Sequence, residues 1–335
     1  MAEARFDGPL FLVGMPRSGT KLLRDLLKNH PQIAIPAAET ELLPAWAAAW
    51  PGGDTLASFD AFQRFAARWQ GAAYFTYLRE EQSQEVDLRA WFDACPRLDL
   101  PGVFEGLVRA STGAAGEVVW GDKSPGYIAH LPLLWQLWPQ ARVVHIVRDV
   151  RDYALSMQKA WGKDPVRAAQ RWSDRVTEAR IEGAARGPGR YLELHYEALV
   201  TDPAPTLAAV CRFAGLAPAP GMDRLQRPAE NLGRAAGSTA VLADNVARWR
   251  AEMPPALLQA IEAVAGPTLA AAGYPRATAV PERRLGAARL LAAQVQDGLR
   301  LVRFDAAHRG WLGAARFRWR LFRETGAPDA GPLRR

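Results

Sequence analysis

Leu10-Phe11-Leu12-Val13-Gly14-Met15-Pro16-Arg17-Ser18-Gly19-Thr20-Lys21-Leu22-Leu23 opens on a short unbroken apolar run and closes on the start of an amphipathic pattern. An apolar run of this length, stopped at Gly14, predicts a strand buried on both faces, as in a parallel sheet. Leu22, Leu23, Leu26 and Leu27 share one helical face, Arg24, Asp25 and Lys28 take the other, and Asn29-His30-Pro31 ends the helix. Between strand and helix lie two glycines and an arginine. Glycines let backbone amides turn inward and the helix N-terminus adds a positive dipole end, so the segment predicts an anion cradle. Gly14 and Gly19 have the spacing of a Walker A loop, in which Lys precedes Ser or Thr. Here Thr20 precedes Lys21, a displacement of about 100° around the helix. The G-x-G-x-x-G dinucleotide fingerprint is absent as well. A displaced nucleotide-kinase loop, or a strand–helix turn that binds nothing, are the competing readings.

Outward from this segment, strands and helices alternate. Ile33-Ala34-Ile35 and Val118-Val119-Trp120 read as strands. Arg142 to Val147 is the clearest strand in the chain, and Tyr191 to Leu194 a late one. Helical patterns cover about Tyr127 to Trp138, a start near Val150, Pro165 to Ala185, Pro203 to Ala214 and Pro254 to Ala272. Residues 40 to 110 are aromatic-rich and helical in character, and Gly215 to Gly237 reads as loop. This order predicts an α/β fold with a central parallel sheet flanked by helices.

The strand Arg142–Val147 runs directly into Arg148-Asp149-Val150-Arg151-Asp152-Tyr153-Ala154-Leu155-Ser156. Arg148 thus stands at a strand's carboxyl end, where open α/β sheets place ligands. Asp149 can cap the new helix, with Asp152 in the capping-box position. Arg148 and Ser156 can both face a phosphate, one through a charge-assisted fork and one through its hydroxyl. A surface helix with Arg–Asp pairs is the plain alternative.

Composition narrows the class. The 335 residues suit one large domain or two small ones, and 49% hydrophobic with 23% charged residues is the mix of a soluble globular protein. Two cysteines, Cys95 and Cys211, exclude a disulfide scaffold and a Cys-rich metal site, and five scattered histidines leave little for a His-based one. No apolar stretch approaches the ~20 residues of a membrane span and no signal peptide is visible, so a cytoplasmic location is expected. From Pro281 onward twelve arginines face five acids, an excess equal to the net charge of +7 for the whole chain. The body is therefore neutral, which argues against nucleic-acid binding. The Arg-rich, helix-prone segment 281–335 reads as an extension to a domain spanning 1–280. From Arg309 it mixes bulky apolar residues with arginines, a pattern for an anionic membrane surface, a subunit contact or a solvated face. Lysine is confined to Lys21, Lys28, Lys123, Lys159 and Lys163.

Taken together, these motifs resemble the sulfotransferases that use 3′-phosphoadenylyl sulfate (PAPS). Pro16 to Leu23, followed by His30-Pro31 and Glu39-Thr40, is similar to their 5′-phosphosulfate loop, and Val147-Arg148-Asp149 with Ser156 to their 3′-phosphate site. His195 to Val200 with Asp202-Pro203 resembles the block after their late strand. The likeness, over about residues 8 to 255, is to the branch containing the tyrosylprotein sulfotransferases and many bacterial relatives. It implies a fold related to nucleotide kinases, and in-line sulfuryl transfer from PAPS to an acceptor hydroxyl without a metal. The alternative is a P-loop kinase or another NTP-using phosphotransferase.

By the resemblance, Arg17 steadies the sulfuryl oxygens and leaving group, and the amides of Ser18, Gly19 and Thr20 hold the 5′-phosphate. Lys21 adds a phosphate contact or faces solvent. Arg148 and Ser156 bind the 3′-phosphate, and Tyr196 contacts the cofactor. Glu39 is the general base, with Glu41 its rival, and Lys123 stands near the transferring group. Ser238 and Arg248 belong to a late lid-like cofactor segment, Ser238 also acting in catalysis. The acceptor is a peptide, carbohydrate, lipid or small molecule bearing a hydroxyl.

Overall fold

The computed structural model describes residues 5–52, 55–229 and 235–325. The N-terminal tip and the last ten residues of the basic segment, 326–335, lie outside it, as do the side chains of 320–325. Five strands form one parallel sheet: β1 (Leu10–Gly14), β2 (Ile33–Ala34), β3 (Val119–Lys123), β4 (Arg142–Val147) and β5 (Tyr191–His195), in the order β2-β3-β1-β4-β5. Leu12 lies beside Lys123, Gly14 beside Ile146, and Val147 beside His195. The register therefore brings the carboxyl ends of β3, β1, β4 and β5 to one edge. The order reverses at β1, and the crevice beside it is where such sheets bind ligands.

Period-two alternation sends Leu10 and Leu12 to one face of the sheet and Phe11 and Val13 to the other, all fully buried. This is why β1 reads as a continuous apolar run. Helix α1 (Thr20–Leu27) covers the first face. Between β2 and β3 the chain forms α2 (Leu43–Ala49), α3 (Phe59–Trp69), α4 (Ala73–Gln82), α5 (Leu88–Asp93) and α6 (Leu100–Thr112). Ser58, Asp87 and Asp99 cap α3, α5 and α6 through side-chain oxygens. The aromatics of this stretch form one core. Trp46 stacks on Trp91 with centroids 6.0 Å apart, Phe62 meets Trp91 edge-on at 4.9 Å, and Trp91 Nε1 donates to Val103 O.

The helix expected from Tyr127 to Trp138 is two pieces, a 3₁₀ turn at Pro125–Ala129 and α7 (Leu131–Leu137). Pro132 enforces the break, since its ring and missing N–H suit only a helix's first turn. Helices α8 (Val150–Trp161) and α9 (Pro165–Arg186) follow β4. After β5 come α10 (Tyr196–Thr201), α11 (Pro203–Phe213), α12 (Trp249–Glu252), α13 (Pro255–Ala271) and α14 (Ala287–Thr325). No helix or strand occurs among the described residues between Ala214 and Arg248. Non-helical Gly310 (φ 67°, ψ 164°) divides α14 in two.

Candidate active site

The loop after β1 turns tightly, with Ser18 N–H donating to Met15 O at 3.1 Å. That bond corrects one expectation: the Ser18 amide closes the turn and is not aimed at an anion. Arg17 lies in the left-handed region (φ 71°), at a cost of about 1–2 kcal/mol for a side-chain-bearing residue. Gly19, the N-cap of α1, is at φ 92°, and a Cβ there would come within 2.4 Å of Tyr196 Cδ2. Only glycine satisfies both constraints. Leu23 N–H makes an early helical bond, to Gly19 O at 2.9 Å, so the amide groups before it stand at the positive end of the helix. The hydroxyl of Ser18 is buried with no hydrogen-bond partner among the described residues.

Arg148 extends the crevice across β4. The residue is 5% exposed, and its guanidinium donates to Arg17 O at 3.1 Å and to Asn245 O at 3.2 Å and lies 4.2 Å from the Tyr196 ring centroid. Its Nε is buried and unpartnered among the described residues. Asn245 Nδ2 donates to Tyr196 Oη at 2.8 Å, and Arg17 Nε reaches Ser156 Oγ at 3.4 Å. Arg248 is paired with Glu252 at 2.7 Å. Ser238 folds back on Ala240, donating to its carbonyl and accepting from its amide.

One cleft is lined by Arg17, Gly19, Arg148, Ser156, Tyr196, Ser238 and Arg248, together with Asn245 and the apolar Leu22, Val241 and Leu242. Seven expected donor-site residues thus converge from four separate parts of the chain. Ser18, Thr20 and Lys21 do not line it.

The scaffold beneath Arg148 was not foreseen. Asp149 caps α8 by accepting from Arg151 N, but Asp152 does not complete a capping box. The Asp149 amide instead donates to Glu197 Oε1 at 3.0 Å, and Asp152 Oδ1 accepts from Trp249 N at 2.9 Å. Arg151 is buried between Asp149 (2.7 Å) and Glu262 (2.9 Å) and stacks 3.8 Å from the Trp249 ring. Glu262 also accepts from the amides of Ala277 and Thr278. The sequence signal for this network is slight: an arginine in a helix whose next residues, Tyr153, Ala154 and Leu155, are core-forming.

A second constellation stands at the end of β3, outside the cleft lining. Lys123 is the last residue of the strand and not part of a following loop. The apolar run stops at Trp120, yet pairing with β1 continues through Asp122 and Lys123. Lys123 is 1% exposed and its ammonium pairs with Glu39, which is 46% exposed, and not with Asp122. Burial lowers the Lys123 pKa, with Glu39 opposing. Thr40 Oγ1 lies 2.8 Å from Tyr127 Oη, and Ser124 Oγ accepts from Glu41 N at 3.1 Å, fixing the loop that carries Glu39. Glu41 is half-buried, accepts from Gly126 N at 2.9 Å, and is pushed up to about 8 by desolvation of its carboxyl and by neighbouring Glu39. Burial likewise raises Asp122 to about 6. A half-exposed carboxylate on a buried ammonium can take a proton from an incoming hydroxyl. Glu41, its carboxyl turned onto the Gly126 amide and its pKa raised, is less suited to that role.

Residues 9–220 match the family model described as "Sulfotransferase family". The nodulation protein NoeE of Sinorhizobium fredii is 28% identical over 153 residues, 45% of this chain, and the match spans about a third (31%) of NoeE. A Caenorhabditis briggsae protein, provisionally named a protein-tyrosine sulfotransferase, is 24% identical over 225 residues, 64% of this chain and 67% of that one. The sulfotransferase domain of the Synechococcus PCC 7002 olefin synthase shares the fold, with TM-score 0.52 and 20% identity over 80% of this chain and 96% of that domain. The parallel sheet, the loop after β1 and the family match across 9–220 agree: this chain belongs to the sulfotransferase family.

Proposed function

We propose that the chain moves a sulfuryl group from PAPS to an acceptor hydroxyl. The observation that carries this reading is the convergence of Arg17, Gly19, Arg148, Ser156, Tyr196, Ser238 and Arg248 on one cleft at the carboxyl edge of the sheet. Arg148, which lines the cleft and keeps a buried Nε without a partner among the described residues, fits an anionic ligand there. Arg148 and Ser156 would hold the 3′-phosphate. Arg17, with the amides opening α1, would hold the 5′ end.

In the transfer, the acceptor's O–H proton passes to Glu39 and its oxygen forms a bond to sulfur. The bond from sulfur to the bridging phosphate oxygen breaks, leaving adenosine 3′,5′-bisphosphate. Arg17 and Lys123 balance charge on the transferred group and the departing oxygen, and the fixed loops align the two substrates. Thr20 ahead of Lys21 argues against an ATP-type loop. Calorimetry with adenosine 3′,5′-bisphosphate tests the reading. A clear isotherm that needs no metal is expected. Absence of binding, with a clear isotherm for ATP and magnesium, would overturn it in favour of an NTP-using enzyme.

A further inference from the structure

The exposed apolar surface of this protein is concentrated in one place. Eight large apolar side chains stand in solvent among the described residues, and seven of them lie on α14: Leu291, Val295, Leu299, Phe304, Trp311, Leu312 and Trp319. Leu291, Val295 and Leu299 recur every fourth residue, so they form one stripe about 12 Å long on the first half of the helix. The opposite side is docked. Ala293, Asp297 and Leu301 are buried, and Asp297 pairs with Arg167 of α9 at 2.8 Å while accepting from Asp164 N at 2.9 Å.

Beyond Gly310 the chain turns back on itself. Arg318 meets Asp305 at 2.5 Å, although a straight helix would separate residues thirteen apart by about 20 Å. The solvent-facing stripe is therefore the outer surface of a segment held firmly to the body.

The exposed charge described on α14 itself is positive. Of its acids, the two whose side chains are described, Asp297 and Asp305, are buried and neutralised by arginine, while Glu80 of α4 pairs with Arg309 at 3.4 Å. Arg289, Arg300, Arg303 and Arg316 are exposed. Arg300 reaches only Gly162 O and, at 3.9 Å, the already paired Asp297. An apolar stripe flanked by the exposed Arg289, Arg300 and Arg303, with no exposed acid described among residues 287–319 of the helix, complements an anionic, apolar-cored surface. A second copy of the same basic face would repel it.

We propose that α14 is an interfacial docking surface that seats the protein on an anionic lipid bilayer. Leu291, Val295 and Leu299 enter the headgroup–acyl boundary, and Arg303 and Arg316 face the lipid phosphates. The extension packs on α2, the helix that begins four residues after Glu39, so the docked face is anchored to the element leading from the candidate base. The inference rests on the extension's geometry alone, and its failure leaves the sulfuryl-transfer reading untouched.

Co-sedimentation of the full chain with vesicles tests it, using equimolar phosphatidylcholine and phosphatidylglycerol against phosphatidylcholine alone. The protein should pellet with the anionic vesicles only, and less so as salt rises. The double variant Arg303→Glu/Arg316→Glu should lower the partition coefficient at least about 25-fold, about fivefold per arginine. Leu291→Ser/Leu299→Ser should also weaken it, with circular dichroism and adenosine 3′,5′-bisphosphate affinity unchanged in both variants. Equal pelleting with both vesicle types, or pelleting that ignores both variants, overturns the proposal. So does a chain that ignores vesicles and sediments as a dimer dissociated by Leu291→Ser/Leu299→Ser.

Discussion

Glu39 and Arg148 occupy different strand ends and should fail in different ways. Glu39 sits on Lys123 at the end of β3, whereas Arg148 lies in the cleft beside Tyr196. Removing a general base while keeping its shape lowers turnover by about 10²–10⁴-fold. Glu39→Gln should therefore reduce kcat by that order and leave adenosine 3′,5′-bisphosphate affinity within about threefold. Removing a charged hydrogen-bond donor costs about 1.5–3 kcal/mol, so Arg148→Ala should weaken nucleotide affinity about 10- to 150-fold. Steady-state kinetics and calorimetry on both variants separate the roles, and a loss of affinity shared equally by the two would contradict the assignment. The position of Arg148 was legible because it directly follows the apolar run of β4, whereas Glu39, five residues past β2, was marked out by the family resemblance. The choice between Glu39 and Glu41 was not legible. The two differ in tertiary setting, which no local pattern encodes: Glu41 accepts from the Gly126 amide, while Glu39 stays half in solvent on Lys123.

At the scale of elements, the junction of β1 and α1 depends on Gly19 for two separable reasons. Its left-handed backbone disfavours any side chain, and its missing Cβ makes room for the Tyr196 ring. Gly113 has only the first property: φ is 64°, with open space where a Cβ would go. Gly113→Ala should cost about 1–2 kcal/mol and leave nucleotide affinity unchanged. Gly19→Ala should cost a further 1–3 kcal/mol, roughly, from overpacking and should displace Tyr196 from beneath Arg148, so affinity falls with stability. Thermal melts with calorimetry distinguish the two, and equal effects on both measures would rule out the close approach as the reason for glycine. Elements whose pattern is purely local were readable: β1, β4, α1 and α8 stand within a residue or two of expectation. Those decided by tertiary pairing were not. Buried Asp122 and Lys123 extend β3 past its apolar run because β1 supplies the ladder. The Arg151–Glu262 bridge joins residues 111 positions apart, which no local period encodes.

For the whole molecule, the acids beneath Glu39 make stability depend on pH in an unusual direction. Glu41 is raised from 4.5 to about 8 and Asp122 from 3.8 to about 6, both chiefly by burial. Between the unfolded and folded pKa values, the folded chain holds a proton that the unfolded chain has released. Stability is therefore greatest below the unfolded value and is lost as pH rises through the folded one. His145 acts oppositely. Buried beside Tyr191 Oη at 2.5 Å, it is lowered from 6.5 to about 3, so its contribution is present above 6.5 and is lost as pH falls. Below about pH 6 the histidine offsets one carboxyl, but from about pH 6.5 to 8 Glu41 dominates these three groups. Urea unfolding should show stability falling by up to about 1.4 kcal/mol per pH unit across that window. Glu41→Gln keeps an oxygen for the Gly126 amide and removes the titration, so its profile should be flat there and lie above the parent at the alkaline end. A parent profile that rises over the same window, or a slope that survives Glu41→Gln, would show that Glu41 does not hold its proton in the folded chain. The distinction matters for chemistry, because a neutral Glu41 leaves Lys123 with Glu39 as its carboxylate partner, and a charged one would compete for it.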